Sequence, residues 1–238
     1  MIQKVRQSHL VDLNMPKILV LWDIDGTLVE IGQGREDKHR LAVETVAACK
    51  VPEQERQGGK TDLQIITELV CDNNLKPEVV PPALTMLELL TAEELQLQPL
   101  PATENAMRTL CEVANRGWEN GLLTGNTHVR AKLKLQSAGL LEKISSRFFF
   151  DGQAAQDRFQ LGRDVAENLV QSGMNSVIVV GDTPLDIQAS RFAGFSCVAV
   201  ATGSFSSDEL SFFEPDLLIQ DLSIGFNKIM RFIETRIT

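Results

Sequence analysis

The chain has 238 residues, of which 43% are hydrophobic and 23% charged, and its formal net charge at pH 7 is −9. The length suits one large domain, or a core domain with a small second one, and the composition is that of a soluble globular protein. The negative charge argues against a nucleic-acid partner. Apolar runs fall short of the ~20 residues of a membrane span, and residues 1–16 lack the apolar centre of a signal peptide. We therefore expect a cytoplasmic protein with neither a membrane nor a nucleic-acid partner.

The cysteines and histidines argue against disulfide and zinc chemistry. The cysteines are widely spaced and include no Cys-x-x-Cys pair, which predicts buried, reduced thiols. The histidines show no metal-ligand spacing, and His128 is expected on a helix surface. These residues are Cys49, Cys71, Cys111, Cys197, His9, His39 and His128.

The first part of the chain predicts one strand followed by helices. Residues 1–16 carry scattered charge and end at Pro16, so we expect a peripheral arm there. The apolar run at 17–23 predicts a strand buried on both faces. A glycine-bearing turn follows at 32–34, and from 37 to 97 the spacing of apolar residues is helical. That stretch predicts an all-helical insertion.

Loops and prolines divide the insertion into helices. The loop 58–60 separates the first helix from the second, and Thr61 with Gln64 fits a capping box at the start of the second. Prolines between 77 and 82 are expected to break the chain before the third. The predicted helices are 37–50, one that begins at Thr61, and 84–97.

From Pro99 onward, strands and helices alternate. Short apolar runs predict strands, and amphipathic runs that end at glycine predict helices. This alternation predicts an α/β fold with a Rossmann-like parallel sheet covered on both sides, in which ligands bind beyond the carboxyl ends of the strands. The predicted strands are a short one leading into Thr124, 144–150, 176–181, 195–201 and 216–219, and the predicted helices are 103–116, 127–138, 162–171, 184–192 and one at the C-terminus.

Two aspartates, Asp23 and Asp25, stand at the end of the first predicted strand, directly before Gly26 and Thr27. Bare carboxylates in such a place repel each other and are costly to desolvate, and a divalent cation removes much of that cost. Mg2+ commonly takes one or two carboxylates from a protein. An aspartate can also accept a phosphoryl group, while a second carboxyl acts as general acid and base. A pair that only caps a turn is the alternative.

A second polar group follows the strand that leads into Thr124. The threonine hydroxyl and the backbone N–H groups of Gly125 and Asn126 could hold phosphate oxygens where the next helix begins. Threonine also caps helices, so this segment taken alone is a weak indication.

A third group follows the strand at 176–181. Asp182 stands at the strand's end, and Asp186 comes four residues later. Thr183 and Pro184 with Asp186 also make a good helix start without any metal. Both roles of Asp186 are compatible.

These stretches, in this order, resemble motifs of the haloacid dehalogenase-like (HAD) hydrolases. Residues 23–27 match the Asp-x-Asp-Gly-Thr of motif I in the phosphatase members. Thr124 is similar to the Ser or Thr of motif II, and residues 181–186 match the Gly-Asp-x-x-x-Asp of motif IV. The resemblance covers residues 17–29 and 99–235.

The resemblance implies roles for the four acids and a Mg2+ cofactor. Asp23 would be the nucleophile and a metal ligand. Asp25 would be the acid/base, with its backbone carbonyl on the metal. Asp182 would bind Mg2+ directly, and Asp186 would hold it through water or a hydrogen bond.

The family also places a lysine or arginine before motif IV, beside the phosphate. Arg158 falls there and is expected just before a helix, although the Lys-Pro pair that many relatives carry is missing. Lys132, Lys134 and Arg163 are the alternative cations.

The helical insertion resembles the cap of the phosphoglycolate phosphatase-like subgroup. In that subgroup a cap loop closes over the site and contacts the leaving group. Gly59 and Lys60 occupy the corresponding place, where Lys60 is either a contact for an anionic substrate or a solvated lysine in a turn. The predicted units are an arm at 1–16, a core at 17–30 and 99–238, and a cap at 31–98.

These features predict a Mg2+-dependent phosphatase that hydrolyses a small phosphorylated metabolite through an aspartyl-phosphate, as a monomer or homodimer. Asp23 would attack phosphorus, Asp25 would protonate the leaving alcohol, and Thr124 with Arg158 would hold the phosphoryl oxygens. A phosphomutase, a dehalogenase, a phosphonatase with a cap lysine, and a non-catalytic binding protein are the alternatives; dehalogenases usually lack an acid at the position of Asp25. The other residues expected to bind phosphate or substrate are Gly26, Thr27, Gly125, Asn126, Gly59, Lys60 and Lys134.

Overall fold

The fold is built around a β-sheet of six strands. The computed structural model describes residues 17–31, 37–53 and 58–236, so the arm predicted at 1–16 and the turn predicted at 32–34 lie outside the described residues. The strands are β1 (Ile18–Trp22), β2 (Glu119–Leu123), β3 (Phe149–Phe150), β4 (Ser176–Gly181), β5 (Ser196–Val200) and β6 (Leu217–Ile219).

Every hydrogen-bonded pair among these strands is parallel, and the strand order is β3-β2-β1-β4-β5-β6. Parallel neighbours need crossover connections, which helices supply here. The predicted α/β class is therefore confirmed. The helices are α1 (Lys38–Ala47), α2 (Asp62–Asp72), α3 (Val80–Leu97), α4 (Ala106–Asn115), α5 (His128–Ser137), α6 (Arg158–Leu169), α7 (Pro184–Phe192), α8 (Ser207–Ser211) and α9 (Phe226–Glu234). None of these helices combines the length and the apolar character that a membrane crossing demands.

The central strand β1 is an unbroken apolar run because both of its faces are covered by helices. Ile18, Val20 and Trp22 pack against one layer of helices that includes α4, α5 and α9. Leu19 and Leu21 pack against α6 on the opposite face. All five side chains are fully buried, and burial of each contributes roughly 1.5–3 kcal/mol. The strand is thereby held rigidly, and so is the residue that follows it.

Two expectations about local structure were wrong. Pro81 and Pro82 lie in the first turn of α3 rather than breaking the chain before it, because proline's fixed φ and missing N–H are tolerated at a helix start. The strand predicted at 144–150 is mostly absent, since Ser146–Phe148 forms a 3-10 turn and only Phe149–Phe150 pairs with β2. Residues 145–147 are Ser-Ser-Arg, and Ser146 and Arg147 are exposed, so the apolar residues of this stretch do not form one continuous strand face.

Helix α6 starts earlier than the predicted 162. The Asp157 side chain accepts a hydrogen bond from the backbone N–H of Gln160 at 2.7 Å, so Asp157 is the N-cap. Arg158 is therefore the first residue of the helix and not a loop residue in front of it. Because the helix begins at Arg158, the arginine side chain reaches the carboxyl ends of β1 and β2.

The cysteines are free thiols, as predicted, but of the four only Cys197 is buried. Cys71 is exposed, because it lies on α2 outside the face that Ile66, Leu69 and Val70 bury. Cys49 and Cys111 are partly exposed.

The segment between β1 and α4 is helical, as predicted. Helices α1, α2 and α3 pack on one another around their own apolar cluster. Thr61 is the N-cap of α2 and accepts from the Gln64 backbone N–H at 3.1 Å, but the Gln64 side chain donates to Glu68 instead of completing the predicted capping box. The division of the chain into an arm, a core and a cap at 31–98 stays a prediction.

A buried charge cluster around Asp62 joins this helical segment to the sheet and its helices. The Asp62 carboxylate accepts from the Thr127 backbone N–H at 2.7 Å and lies 2.8 Å from His39 Nε2. It also forms a buried ion pair with Arg130 of α5. The Arg130 Nε donates to the Thr91 hydroxyl of α3 at 3.0 Å. One guanidinium thus ties α5 to two helices of the insertion.

We expect Asp62→Asn to destabilise the protein in a pH-dependent way. Burial favours the neutral acid, but Arg130 and His39 outweigh it and hold the pKa of Asp62 below the ordinary aspartate value. A carboxyl with a lowered pKa in the folded state contributes stability above its unfolded pKa of about 4 and loses it as the pH falls. Urea denaturation at pH 7 should show a loss of about 3 kcal/mol, because Arg130 is left unpaired.

The loss should shrink as the pH is lowered below about 4. The exposed Asp208→Asn variant on α8 is the matched control and should unfold like the wild type. An equal loss at pH 7 and pH 3 would show that folding does not lower the pKa of Asp62.

Candidate active site

The predicted acids meet at one edge of the sheet. β1 and β4 are parallel neighbours, with Trp22 opposite Val180, so the residues that follow the two strands emerge side by side. The Asp23 backbone N–H donates to the Val180 carbonyl at 2.9 Å and continues the pairing up to the site. Asp182 follows β4, and Asp186 returns to the same place from the first turn of α7. Carboxylate oxygens of Asp23, Asp182 and Asp186 lie within 4.8 Å of one another.

The turn after β1 supports these carboxylates. Gly26 has φ +76°, and a Cβ on it would stand 2.5 Å from an Asp182 carboxylate oxygen, so glycine is required. Its N–H donates to the Val29 carbonyl at 2.8 Å. The fully buried Thr27 donates its hydroxyl to Asp182 at 3.4 Å. Both residues thus have partners inside the turn, and their predicted binding of phosphate or substrate stays a prediction.

Asp186 caps helix α7, as the sequence predicted, and its role at a metal stays a prediction. Its carboxylate accepts from the Thr183 backbone N–H at 3.1 Å and from the Thr183 hydroxyl at 2.7 Å, and Pro184 opens the helix, so the capping box is complete. Its other oxygen forms a buried ion pair with Arg158. With both oxygens engaged, Asp186 is placed to support a metal indirectly.

Asp23 and Asp182 have the electrostatics of a cation site. Burial raises the pKa of Asp23 to about 7, despite the opposing charge of Arg158. Burial and the nearby Asp23 charge raise the pKa of Asp182 well above its ordinary value. Both carboxylates would be stabilised by a cation, and their oxygens are the hard ligands that Mg2+ prefers. The residues present therefore fit Mg2+, with Asp23 and Asp182 as its direct ligands.

Arg158 is the cation beside Asp23. Its side chain is 2% exposed, and it donates to an Asp23 oxygen at 3.2 Å and to the Leu123 carbonyl at 3.0 Å. The alternatives Lys132 and Arg163 are exposed on the outer faces of their helices. The geometry thus favours Arg158 over both as the positive charge next to the predicted nucleophile.

Lys134, the remaining alternative cation, faces the other aspartate. Its ammonium donates to the two carboxylate oxygens of Asp25 at 2.8 and 2.6 Å and to Asn126 Oδ1 at 2.7 Å. The Asn126 amide donates in turn to Asp25 at 2.8 Å and to the Thr124 hydroxyl at 2.9 Å. Burial opposes ionisation, yet Lys134 and Asn126 lower the pKa of Asp25. The two cations therefore serve different carboxylates.

A cavity of about 470 Å³ lies between this sheet edge and the helical insertion. That volume suits a small-molecule ligand. The carboxylates of the sheet edge and side chains of α1, α2 and α3 line it together. Of the predicted site residues, Asp23, Asp25, Gly59, Lys60, Thr124, Gly125, Asn126, Lys134, Arg158 and Asp182 are among its lining.

The loop at 58–60 sits directly on the core. A Cβ on Gly59, which has φ +88°, would stand 2.5 Å from the Thr183 hydroxyl, so a side chain there would collide with the loop after β4. The Lys60 ammonium donates to Glu68 Oε2 at 2.6 Å. Lys60 therefore lines the cavity as one half of an ion pair.

Residues 19–194 match the family model of the haloacid dehalogenase-like hydrolases. The chain belongs to this family. The matched segment includes all four predicted motifs and the whole helical insertion. No curated protein matches the chain.

Solved structures of HAD proteins share the fold at low sequence identity. A predicted phosphoglycolate phosphatase from Haemophilus somnus is 18% identical, with a TM-score of 0.66 over 92% of this chain and 99% of that chain. A hydrolase from Pseudomonas syringae is 17% identical, with a TM-score of 0.69 over 91% and 98%. CbbY from Rhodobacter sphaeroides, solved with phosphate, is 17% identical, with a TM-score of 0.63 over 89% and 96%.

Sequence reasoning missed Arg130, Asp62 and His39, which line the cavity of this HAD protein. One signal could have found Arg130. It precedes Lys134 by four residues on α5, and residues at that spacing share one helix face. The pairing of Asp62 with Arg130 across 68 positions has no local signature.

We expect Asp182→Asn to abolish the stabilisation of the protein by Mg2+. At pH 7.5 a saturating level of Mg2+ should raise the wild-type Tm by several degrees, because a ligand at 100 times its Kd adds about 2.7 kcal/mol. The variant should lose this shift. In EDTA its Tm should lie above that of the wild type, since one of the mutually repelling carboxylates is gone.

Differential scanning fluorimetry with Mg2+ and with EDTA measures both effects. The exposed Asp208→Asn variant should keep the full Mg2+ shift. A Mg2+ shift that survives in Asp182→Asn would place the cation elsewhere.

Proposed function

We propose that this HAD hydrolase is a Mg2+-dependent phosphatase that acts on a small phosphorylated metabolite through an aspartyl-phosphate. The observation that carries the proposal is the buried Asp23, which faces the cavity beside Arg158 and Asp182. This carboxylate lies between a cation and the predicted metal position. It is therefore arranged to attack the phosphorus of a phosphoryl group whose oxygens are neutralised by those positive charges.

Phosphate would be held by groups on two sides of Asp23. Arg158 lies on one side, with its guanidinium fixed by three oxygen partners. Thr124 and the backbone of Gly125 lie on the other, just before helix α5, whose N-terminal end favours an anion. Mg2+, bound by Asp23 and Asp182, would supply positive charge against the phosphoryl oxygens and the nucleophile.

In the first step Asp23 attacks phosphorus, and the bond from phosphorus to the substrate oxygen breaks. Asp25 gives its proton to that oxygen, which leaves as an alcohol. Asp25 is ionised in the free site. When the phosphate dianion arrives, the repulsion between the negative charges raises the proton affinity of Asp25, which takes up one proton from solvent before the transfer. The helices of the insertion that line the cavity would shield this transfer from bulk water.

In the second step water attacks the phosphorus of the aspartyl-phosphate. Asp25, now a carboxylate, takes a proton from the water, and the bond between phosphorus and the Asp23 oxygen breaks. Inorganic phosphate leaves and Asp23 is regenerated. Asp25 then releases a proton to solvent and returns to its ionised form, so the proton taken up at the start is given back.

A phosphomutase is the second candidate, because it would use the same acids and cations. A proposed β-phosphoglucomutase from Bacteroides vulgatus has this fold, with 17% identity and a TM-score of 0.67 over 94% of this chain and 91% of that chain. Isomerisation of a sugar phosphate that depends on a bisphosphate activator, without net release of phosphate, would favour this function.

We expect phosphate release from at least one member of a panel of phosphorylated metabolites, and from 4-nitrophenyl phosphate, in Mg2+ but not in EDTA. Asp23→Asn should lower kcat by at least ~10³-fold, because an amide cannot form the phosphorylated intermediate. The measurement is a phosphate assay with purified protein, and Asp208→Asn is the control.

Trapping of radioactive phosphate on the wild type after acid quench would identify the aspartyl-phosphate. Phosphate release that persists in Asp23→Asn would rule out Asp23 as the nucleophile. A folded, Mg2+-binding wild type that releases no phosphate from any panel member would exclude the phosphatase.

A further inference from the structure

Lys134 has no N–H donor left for a substrate. An ammonium group has three donors, and those of Lys134 are directed to the two oxygens of Asp25 and to Asn126 Oδ1, at 2.6–2.8 Å. A lysine that bound the phosphate would have to release one of these contacts. The role in substrate binding that the sequence suggested is therefore disfavoured by the contacts themselves.

The Asp25 carboxylate is held from behind. Both side chains line the cavity, but that of Lys134 is only 9% exposed, whereas that of Asp25 is 38% exposed. Asn126 adds a second donor at 2.8 Å on one Asp25 oxygen and is itself bonded to the Thr124 hydroxyl. The carboxylate is thus oriented by buried groups, while its open side faces the place of the substrate.

The arrangement is supported by rigid structure. Lys134 projects from α5, two turns after the N-cap Thr127, whose side chain accepts from the Arg130 backbone N–H. The same helix is tied to the insertion through the Arg130–Asp62 ion pair. The Lys134 side chain is buried and its ammonium makes three hydrogen bonds, so the ammonium is held in place beside Asp25.

We propose that Lys134 and Asn126 form a clamp that positions Asp25 for proton transfer to the leaving group. In this proposal, which rests on the phosphatase function, Lys134 is a positioning residue and touches no substrate atom. Its effect on the rate must then depend on how strongly the leaving oxygen needs a proton. An alkoxide needs one, whereas 4-nitrophenolate leaves readily without it.

The test compares Lys134→Met on two substrates. On the alkyl phosphate that the wild type hydrolyses fastest, kcat should fall by ~10²-fold or more, the usual contribution of a general acid. On 4-nitrophenyl phosphate the rate of nitrophenolate release in a single turnover should fall by less than about tenfold, because hydrolysis of the aspartyl-phosphate, which also uses Asp25, comes after that release. KM for the alkyl phosphate should change little. The exposed Lys132→Met variant on the same helix is the matched control and should behave as the wild type.

A double variant separates positioning from direct binding. In the Asp25→Asn background, Lys134→Met should cause no further loss on the alkyl phosphate, because a residue that acts only through Asp25 has nothing left to position. Lys134→Gln, which keeps hydrogen bonding at the same place, should recover part of the lost rate. Its Mg2+-induced Tm shift should equal that of the wild type, which shows that the site is folded.

Equal losses on both substrates, a raised KM, or a further loss in the Asp25→Asn background would overturn the proposal and indicate that Lys134 binds phosphate. These outcomes leave the phosphatase function standing, provided that turnover still requires Asp23. Turnover that does not require Asp23 would overturn the phosphatase function and this proposal with it.

Discussion

The mutual repulsion of buried carboxylates at the ends of β1 and β4 is the constraint on which the site depends. Asp23, Asp182 and Asp186 are brought together by a rigid parallel pair of strands and cannot move apart. Low accessibility strengthens their repulsion and removes the water that would relieve it. Arg158 reduces this repulsion on one side, and the capping hydrogen bonds from Thr183 reduce it on the other. The negative charge that these groups leave uncompensated favours the binding of a divalent cation.

Each positively charged side chain near the site pairs with a different carboxylate. Arg158 from α6 serves the predicted nucleophile, whereas Lys134 from α5 serves the predicted acid and base. Arg130, one turn before Lys134, serves Asp62 and so connects the chemistry to the docking of the insertion. A single face of α5 thereby sets both the acid's orientation and the position of the helices above the cavity. The two functions share one rigid element.

Much of the fold and of the acidic site could be predicted because the signals are local. The apolar run at 18–22 and the acids directly behind it lie within a few residues, as do Gly181, Asp182 and Asp186. The contacts that sequence reasoning missed join distant segments, such as Asp62 with Arg130 and Lys134 with Asp25. Composition gives no hint of which distant charges will meet, because only tertiary packing decides it. The wrong strand at 144–150 has a different cause, because the polar residues 145–147 interrupt the apolar residues and lead into a turn at Ser146–Phe148.

The glycine loop on the core limits how this protein could acquire a new substrate during evolution. Gly59 has no space for a side chain, because the loop after β4 lies directly against it. Ile65 and Leu69 of α2 also line the cavity, and they do not share this steric constraint. Substitutions that let the protein accept a different leaving group should therefore occur on the helical faces of the insertion that line the cavity, and not in the loop at Gly59.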